Sequence, residues 1–142
     1  MHKILPFFVI LSILIVTSSA CSTAGEFDLH MMPLDEMPME VQSAPRTVQQ
    51  AYQFAAANPD VMKQIFCYCG CDSIGHTSNY DCYVSSVGEY GGITFEQHGL
   101  ACSTCVEITQ DVMRMLRDGK SLAESKEHID ETYGKYKLPQ DP

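Results

Sequence analysis

The sequence has no tryptophan and few basic residues. Nine lysines and arginines stand against 18 aspartates and glutamates, which gives a formal net charge of -9. A nucleic-acid-binding surface needs a basic patch that neutralises phosphates, so the composition excludes nucleic acid as a partner. The acidic balance is compatible with cation binding and otherwise concerns solubility.

Several catalytic and cofactor-binding motifs are also missing. The chain has no Ser-His-Asp pattern, no phosphate-binding glycine loop and no dinucleotide fingerprint. A haem attachment sequence needs a histidine directly after its Cys-x-x-Cys, and Val106 takes that place here. These absences disfavour a hydrolase and a haem protein, and the sequence favours a binding protein over an enzyme.

The chain opens with a hydrophobic run that is too short to span a bilayer comfortably. Residues 4–16 are apolar, and small residues then lead to Cys21. This pattern predicts a signal peptide over residues 1–20. Cys21 resembles the lipobox cysteine of bacterial lipoproteins, with Ser18 where leucine is usual. We expect a lipidated Cys21 that anchors the exported protein to the outer face of a bacterial membrane; ordinary cleavage after Ala20 is the alternative.

Residues 21–45 have the composition of a linker between this anchor and a domain. The segment contains three prolines and acidic residues, and it has no sustained helical or alternating period. Four methionines and His30 fall within residues 30–39. Thioethers are soft ligands that select Cu(I), so the segment is either a copper-catching arm or a spacer of unusual composition.

The most informative feature is a concentration of cysteine in the middle of the chain. Six of the seven cysteines and two of the five histidines fall between residues 67 and 105. Such sulfurs can bind a soft metal, pair as disulfides, or cycle between thiol and disulfide. Alternate residues of an extended segment face the same side, so Cys67, Cys69 and Cys71 present three sulfurs in one direction. Three convergent thiolates suit a metal better than a strained disulfide between close neighbours.

We therefore predict a soft-metal site that holds Cu(I) or Zn(II). The candidate donors are Cys67, Cys69, Cys71, Cys82, Cys102, Cys105, His76 and His98. They suffice for one tetrahedral site with spare groups or for two sites that share ligands. Asp72 and Asp81 adjoin them and are candidates for orienting a histidine. The function would be metal handling outside the cytoplasm, with a metal donor or acceptor protein as partner, or a structural zinc.

Two alternatives use the same sulfurs without a metal. Cys102 and Cys105 stand one turn apart at the start of a predicted helix, where the helix dipole lowers thiol pKa. This pair suits a thiol-disulfide oxidoreductase. Six cysteines in an oxidising compartment also suit a disulfide-stapled structural domain. Neither alternative explains the two histidines among the sulfurs.

The flanking sequence predicts a small, mainly α-helical domain over residues 46–138, followed by a tail at 139–142. Capping boxes start at Thr47 and Ser121. The predicted helical segments are residues 47–57, a short turn from Pro59 to Gln64, residues 102–118, and a final helix from Ser121 to Gly134.

The region between these helices is rich in glycine and poor in periodic apolar positions. Residues 83–84 and 93–95 are its short strand candidates. A long irregular segment inside a small domain needs an organiser other than an apolar core. We expect an irregular Cys/Gly-rich loop region that metal or disulfides hold between the helices.

Several short motifs follow one another in a fixed order along the chain. They are Cys67-Tyr68-Cys69-Gly70-Cys71, Gly75-His76-Thr77-Ser78, Asp81-Cys82-Tyr83, His98-Gly99, Cys102-Ser103-Thr104-Cys105 and Gly119-Lys120-Ser121-Leu122. Over residues 50–134 the chain resembles a bacterial family of exported lipoproteins named for a Pro-Cys-Tyr-Cys-Gly-Cys motif, with Phe66 in place of the proline. The resemblance implies export and membrane anchoring, and it implies no activity.

The last third of the chain also looks like the small anchored thiol oxidoreductases of cytochrome c maturation. The features in common are a Cys-x-x-Cys at a helix start, a Gly-Lys-Ser sequence and a capped final helix. This likeness leaves the cysteines of the central loop unexplained.

Overall fold

The computed structural model describes residues 29–136, so the predicted signal peptide, Cys21 and the tail at 139–142 lie outside the described residues. Within this range six α-helices and one two-stranded sheet form, which confirms the mainly α-helical class. No helix of this part of the chain is long and apolar enough to cross a bilayer. The helices are α1 (Met39–Gln42), α2 (Arg46–Ala57), α3 (Pro59–Met62), α4 (His98–Ala101), α5 (Ser103–Arg117) and α6 (Leu122–Tyr133), and the strands are β1 (Val84–Val87) and β2 (Ile93–Phe95).

The core forms where α5 packs against α2, α4 and α6. Ile108 of α5 and Ile129 of α6 are fully buried, and burial of such a side chain contributes about 1.5–3 kcal/mol. The predicted inward positions of α2 are all buried: Val48, Ala51, Tyr52 and Ala55. Those of α5 are buried or packed against the core: Val106, Thr109, Val112, Met113 and Leu116. The helical period therefore identified the faces that join these two helices.

The connection between α5 and α6 has the predicted capping chemistry. Gly119 follows the end of α5 with φ +77°, and its N–H and that of Lys120 return to carbonyls of the last turn at 3.0 and 2.9 Å. This is the Schellman arrangement. Ser121 then accepts a hydrogen bond from the Glu124 N–H, while the Glu124 carboxylate accepts one from the Ser121 N–H. The capping box at Ser121 is confirmed.

The predicted capping box at Thr47 is wrong. Helix α2 already begins at Arg46, and Pro45 at its N-cap position makes no side-chain capping bond. Proline fixes φ and can start a helix without a capping side chain. The Gln49 side chain instead donates to backbone carbonyls of Gln42 and Ala44 at 2.8 and 2.9 Å, which fastens the connection between α1 and α2.

The described part of the predicted linker, residues 29–45, packs against the domain. Met37 is 4% exposed and Val41 is 1% exposed. The Met32 N–H donates to the Gln53 carbonyl at 3.1 Å, and the Gln53 side chain donates back to the Met32 carbonyl at 2.8 Å. The packed unit therefore extends upstream of residue 46. Met37 fills a core position, a common use of this flexible side chain, so this segment is not a free arm.

The two strands form an antiparallel hairpin that brings distant parts of the chain together. Val84 pairs with Phe95 and Val87 with Ile93, with an irregularity in register between residues 84 and 86. Strand β1 thus starts inside the first predicted strand and runs further, while β2 covers the second. The hairpin begins just after Cys82 and ends shortly before His98. It therefore places these two side chains at the same end of the sheet.

Candidate metal centre

Four separate parts of the chain meet at one place and contribute sulfur or imidazole. The first part follows α3, the second is a 3-10 turn before β1, the third is the start of α4, and the fourth is the start of α5. Their donors are Cys67, Cys69 and Cys71 from the first part, Cys82 from the second, His98 from the third, and Cys102 and Cys105 from the fourth.

Cys105 lies at the middle of the sulfur cluster. Its Sγ is 2.9 Å from that of Cys102, 3.1 Å from that of Cys82, 3.5 Å from that of Cys69 and 3.6 Å from that of Cys67. These separations exceed the roughly 2.05 Å of a disulfide bond. All six cysteines within residues 29–136 are free thiols. The cysteines of the described chain therefore do not staple the fold through disulfides.

Cys67 holds the other side of the cluster. Its Sγ lies 3.1 Å from that of Cys69 and 3.3 Å from those of Cys71 and Cys82. The imidazole of His98 approaches from α4 and places Nε2 at 3.6 Å from the Cys69 sulfur. One nitrogen donor thus borders a compact group of sulfurs.

The donors form two overlapping sets of four whose ligand atoms all lie within 4.8 Å of one another. Cys69 and Cys82 belong to both sets. The first set is completed by Cys67 and Cys71, and the second by His98 and Cys105. The cluster can therefore hold a metal ion, and it has the thiolate and imidazole donors that soft and borderline metals prefer.

Two of the eight predicted donors lie beside these sets. Cys102 is half-buried and contacts the cluster through Cys105. The His76 ring packs edge-on against His98, with ring centroids 5.3 Å apart. The Nδ1 atom of His76 is buried and has no hydrogen-bond partner among the described residues. A buried polar atom without a partner costs about 1–3 kcal/mol. A metal ion next to His98 would remove this cost, so His76 Nδ1 is a further candidate metal ligand.

The distances also fit metal coordination. A tetrahedral ion with metal–sulfur bonds of about 2.3 Å separates its sulfurs by about 3.8 Å. Within the two donor sets the sulfur contacts range from 3.1 Å, between Cys67 and Cys69, to 3.9 Å, between Cys71 and Cys82. An ion would therefore need the closest sulfurs to spread by less than about 1 Å.

Only some of the six thiols ionise in the absence of a metal ion. Hydrogen bonds from Cys105 and Cys82 lower the pKa of Cys67 to about 2, and a hydrogen bond from Cys105 lowers the pKa of Cys102 to about 5. The hydrogen bond to Cys102 raises the pKa of Cys105, and burial raises that of Cys69. Close thiols cannot all ionise, because like charges repel. A cation would remove this repulsion and release the remaining protons.

A buried polar network lies next to the cluster. Thr109 donates to the Asn79 side-chain oxygen at 2.8 Å and accepts from the Tyr83 hydroxyl at 2.8 Å. Asn79 also donates to the Cys105 carbonyl at 3.4 Å. The network ties the segment around Cys82 to α5. Sequence reasoning did not identify it, because isolated polar residues in a loop give no signal of which helix they will contact.

Asp81 contacts a turn rather than a histidine. One oxygen of its carboxylate accepts hydrogen bonds from the backbone N–H groups of Thr77 and Ser78, both at 2.8 Å, and from their hydroxyls. Partial burial alone would raise the pKa of Asp81, but these donors lower it below the usual value. Asp81 thus fixes the turn that leads into Cys82. The side chain of Asp72, the other candidate for orienting a histidine, lies outside the described residues.

A cavity of about 430 Å³ opens beside the cluster at the start of α5. Its lining includes Leu100, Val106 and Tyr133, together with acidic groups at Glu107 and Asp111. Among the six cysteines of the cluster, only Cys102 lines this cavity. The cavity therefore reaches the edge of the cluster at one cysteine.

A family model described as "Protein of unknown function with PCYCGC motif" matches residues 15–141. The matched range contains every residue of the sulfur cluster. No curated protein and no solved structure matches the chain.

Proposed function

We propose that this chain, which belongs to the family of proteins of unknown function with a PCYCGC motif, binds a soft metal ion, Cu(I) or Zn(II), at its sulfur cluster. The supporting observation is the convergence of five thiols and the imidazole of His98 in two overlapping four-donor sets. Thiolate and imidazole together suit these metals and disfavour Mg²⁺ or Ca²⁺, which take oxygen ligands.

We further propose that the protein works outside the cytoplasm on a membrane. The support comes from the predicted signal peptide and from Cys21 as a lipidation site. In such a compartment free thiols are exposed to oxidation. A bound metal would protect the sulfurs of the cluster, because they would be engaged as ligands.

The half-buried Cys102 beside the cavity suggests that the metal is passed to a partner rather than kept as a structural ion. A transferable ion needs a route by which an incoming ligand reaches it. Cys102 is half-buried, lies outside both four-donor sets and lines the adjoining cavity. We place metal exchange at Cys102, with a donor or acceptor protein that presents its own sulfur ligands there. A purely structural zinc would need no such sulfur.

A thiol-disulfide oxidoreductase is the second candidate, and one observation favours it. The pKa of Cys102 is lowered to about 5, and Cys105 lies 2.9 Å away as a resolving thiol. In that reaction the Cys102 thiolate would attack a substrate disulfide, and Cys105 would displace the second substrate thiol. The substrate would leave as two thiols, with a disulfide between Cys102 and Cys105. The four other cysteines of the cluster have no part in this reaction.

Single substitutions separate these candidates. We expect Cys69→Ser and Cys105→Ser each to lower the metal content and the thermal stability of the metal-loaded protein. His128→Gln is the control, because this side chain is 41% exposed and belongs to neither donor set. Elemental analysis and thermal unfolding of protein purified anaerobically measure both effects. Unchanged metal binding in both cysteine variants would refute the site.

Metal exchange at Cys102 has its own test. Cys102→Ser should retain the metal but release it more slowly to a thiol chelator, because the accessible exchange ligand is gone. Release is followed by the absorbance of the chelator complex. If Cys102→Ser releases metal at the native rate, exchange does not occur at this position. If the metal-free protein reduces a disulfide substrate and Cys102→Ser does not, the oxidoreductase candidate gains support instead.

A further inference from the structure

The geometry points to a centre with two metal ions that share the sulfurs of Cys69 and Cys82. This inference rests on the proposed metal-binding function and specifies the number of ions and the role of each ligand. It concerns divalent ions that thiolates bind well, such as Zn(II) or Cd(II).

The overlap of the two donor sets is the first observation. Cys71 belongs only to the first set and His98 only to the second, so neither set of four contains both. Cys69 and Cys82 appear in both. A thiolate sulfur has more than one lone pair and can bind two ions at once. The two shared residues are therefore the natural bridges.

The distances around the bridges are the second observation. Cys67, which belongs to the first set, lies 3.1 Å from the Cys69 sulfur and 3.3 Å from the Cys82 sulfur. Cys105, which belongs to the second set, lies 3.5 and 3.1 Å from the same two sulfurs. Each bridging sulfur thus contacts at least one terminal sulfur of each set. The pair can form the common edge of two coordination tetrahedra if the terminal sulfurs of Cys67 and Cys105, which are 3.6 Å apart, move away from each other.

The donor count agrees with this arrangement. Two tetrahedral ions have eight coordination positions between them. Four terminal donors fill one position each, and two bridging sulfurs fill two each, so the six donors of the two sets complete both ions. A single tetrahedral ion would use only four of them. The others would then be thiols or an imidazole held at the site without an ion.

Charge balance points the same way. The two sets contain five cysteines. If all five bind as thiolates, one divalent ion leaves three negative charges uncompensated in a largely buried cluster, and two divalent ions leave one. Uncompensated charge is expensive to bury. A second ion therefore stabilises the fully deprotonated cluster.

The direct test uses the native protein, stripped of metal and loaded with ¹¹³Cd. We expect a titration followed by thiolate-to-metal absorbance to end at two equivalents. The cadmium spectrum should contain two resonances, and both should couple to the β-protons of Cys69 and Cys82. One resonance, or two resonances without a shared cysteine, would overturn the inference.

A pair of variants gives an independent test. Cys71→Ser removes a donor from one set only, so it should still bind one ion with native affinity. Cys82→Ser removes a donor from both sets, so it should bind neither ion with native affinity. Equal losses in the two variants would contradict bridging by Cys82. Serine keeps the size of the side chain, and the ¹¹³Cd experiment on the native protein does not depend on either variant folding.

The result also separates this inference from the proposed function. If the native protein binds one equivalent tightly, the two-ion centre is wrong and the metal-binding function stands. If it binds neither Zn(II) nor Cd(II) nor Cu(I), both are wrong.

Discussion

Gly99→Ala tests whether the close packing of α4 positions His98. A methyl group at residue 99 would lie 2.7 Å from two ring carbons of Tyr83 and 3.0 Å from the Cys82 carbonyl oxygen. The Tyr83 ring cannot move away, because it is fully buried and its hydroxyl bonds Thr109. The substitution should therefore displace α4, which begins at His98.

The magnitude follows from the size of the overlap. Carbon atoms in contact prefer a separation of about 3.5–4.0 Å, so the new methyl must retreat by about 1 Å. Overpacking of this kind costs about 1–3 kcal/mol. Alanine gains up to about 1 kcal/mol over glycine in the interior of a helix, and the gain is smaller in the four-residue α4. We expect a net loss of about 1–2 kcal/mol in the free energy of unfolding.

Urea or thermal unfolding of the metal-free protein measures this loss. For a domain of this size each kcal/mol lowers the Tm by about 4–8 °C. Gly92→Ala is the matched control, because no atom lies within 4 Å of its added methyl group and its φ is not in the left-handed region. Gly99→Ala should also weaken metal affinity in a chelator competition, whereas Gly92→Ala should not. If Gly99→Ala were as stable as Gly92→Ala, Gly99 would not be closely packed against Tyr83.

Three further predictions concern the buried polar network, a helix cap and the pH dependence of metal affinity. Asn79→Ala should lower the free energy of unfolding by about 1–3 kcal/mol in urea, because it leaves the buried Thr109 hydroxyl with one partner fewer; a loss within error would contradict the network. Ser121→Ala should cost about 1 kcal/mol in thermal unfolding through its capping bond, and a change in metal content would contradict this purely local role. Metal affinity, measured by chelator competition, should rise with pH. Burial raises the pKa of Cys69 and hydrogen bonding raises that of Cys105, so protons compete with the metal below those pKa values. An affinity that does not change with pH would contradict thiolate ligation.

The helices were predictable where local chemistry decides them. The apolar period of α5 fixed its buried face, and Gly119 and Ser121 marked its end and the start of α6. The start of α2 was mispredicted, because Pro45 initiates the helix and leaves Thr47 inside it. Capping boxes and proline starts give competing signals, and the sequence does not show which backbone conformation wins.

The candidate site was predictable as a set of donors but not as an arrangement. The spacing of Cys67, Cys69 and Cys71 indicated convergent sulfurs, and the structure brings them together with Cys82 and His98. That Cys69 and Cys82 belong to both donor sets depends on how the hairpin and α5 pack, which no local pattern encodes. The same holds for the buried position of Met37, whose neighbours suggested a linker.

Metal binding by the cluster is tested most directly by one measurement. The native protein is purified anaerobically without chelator, its metal content is determined by elemental analysis, and its reactive thiols are counted before and after metal removal. We expect one or two equivalents of copper or zinc, with most cluster thiols protected until the metal is removed. Protein without metal, whose thiols react at once or are paired as disulfides, would contradict it.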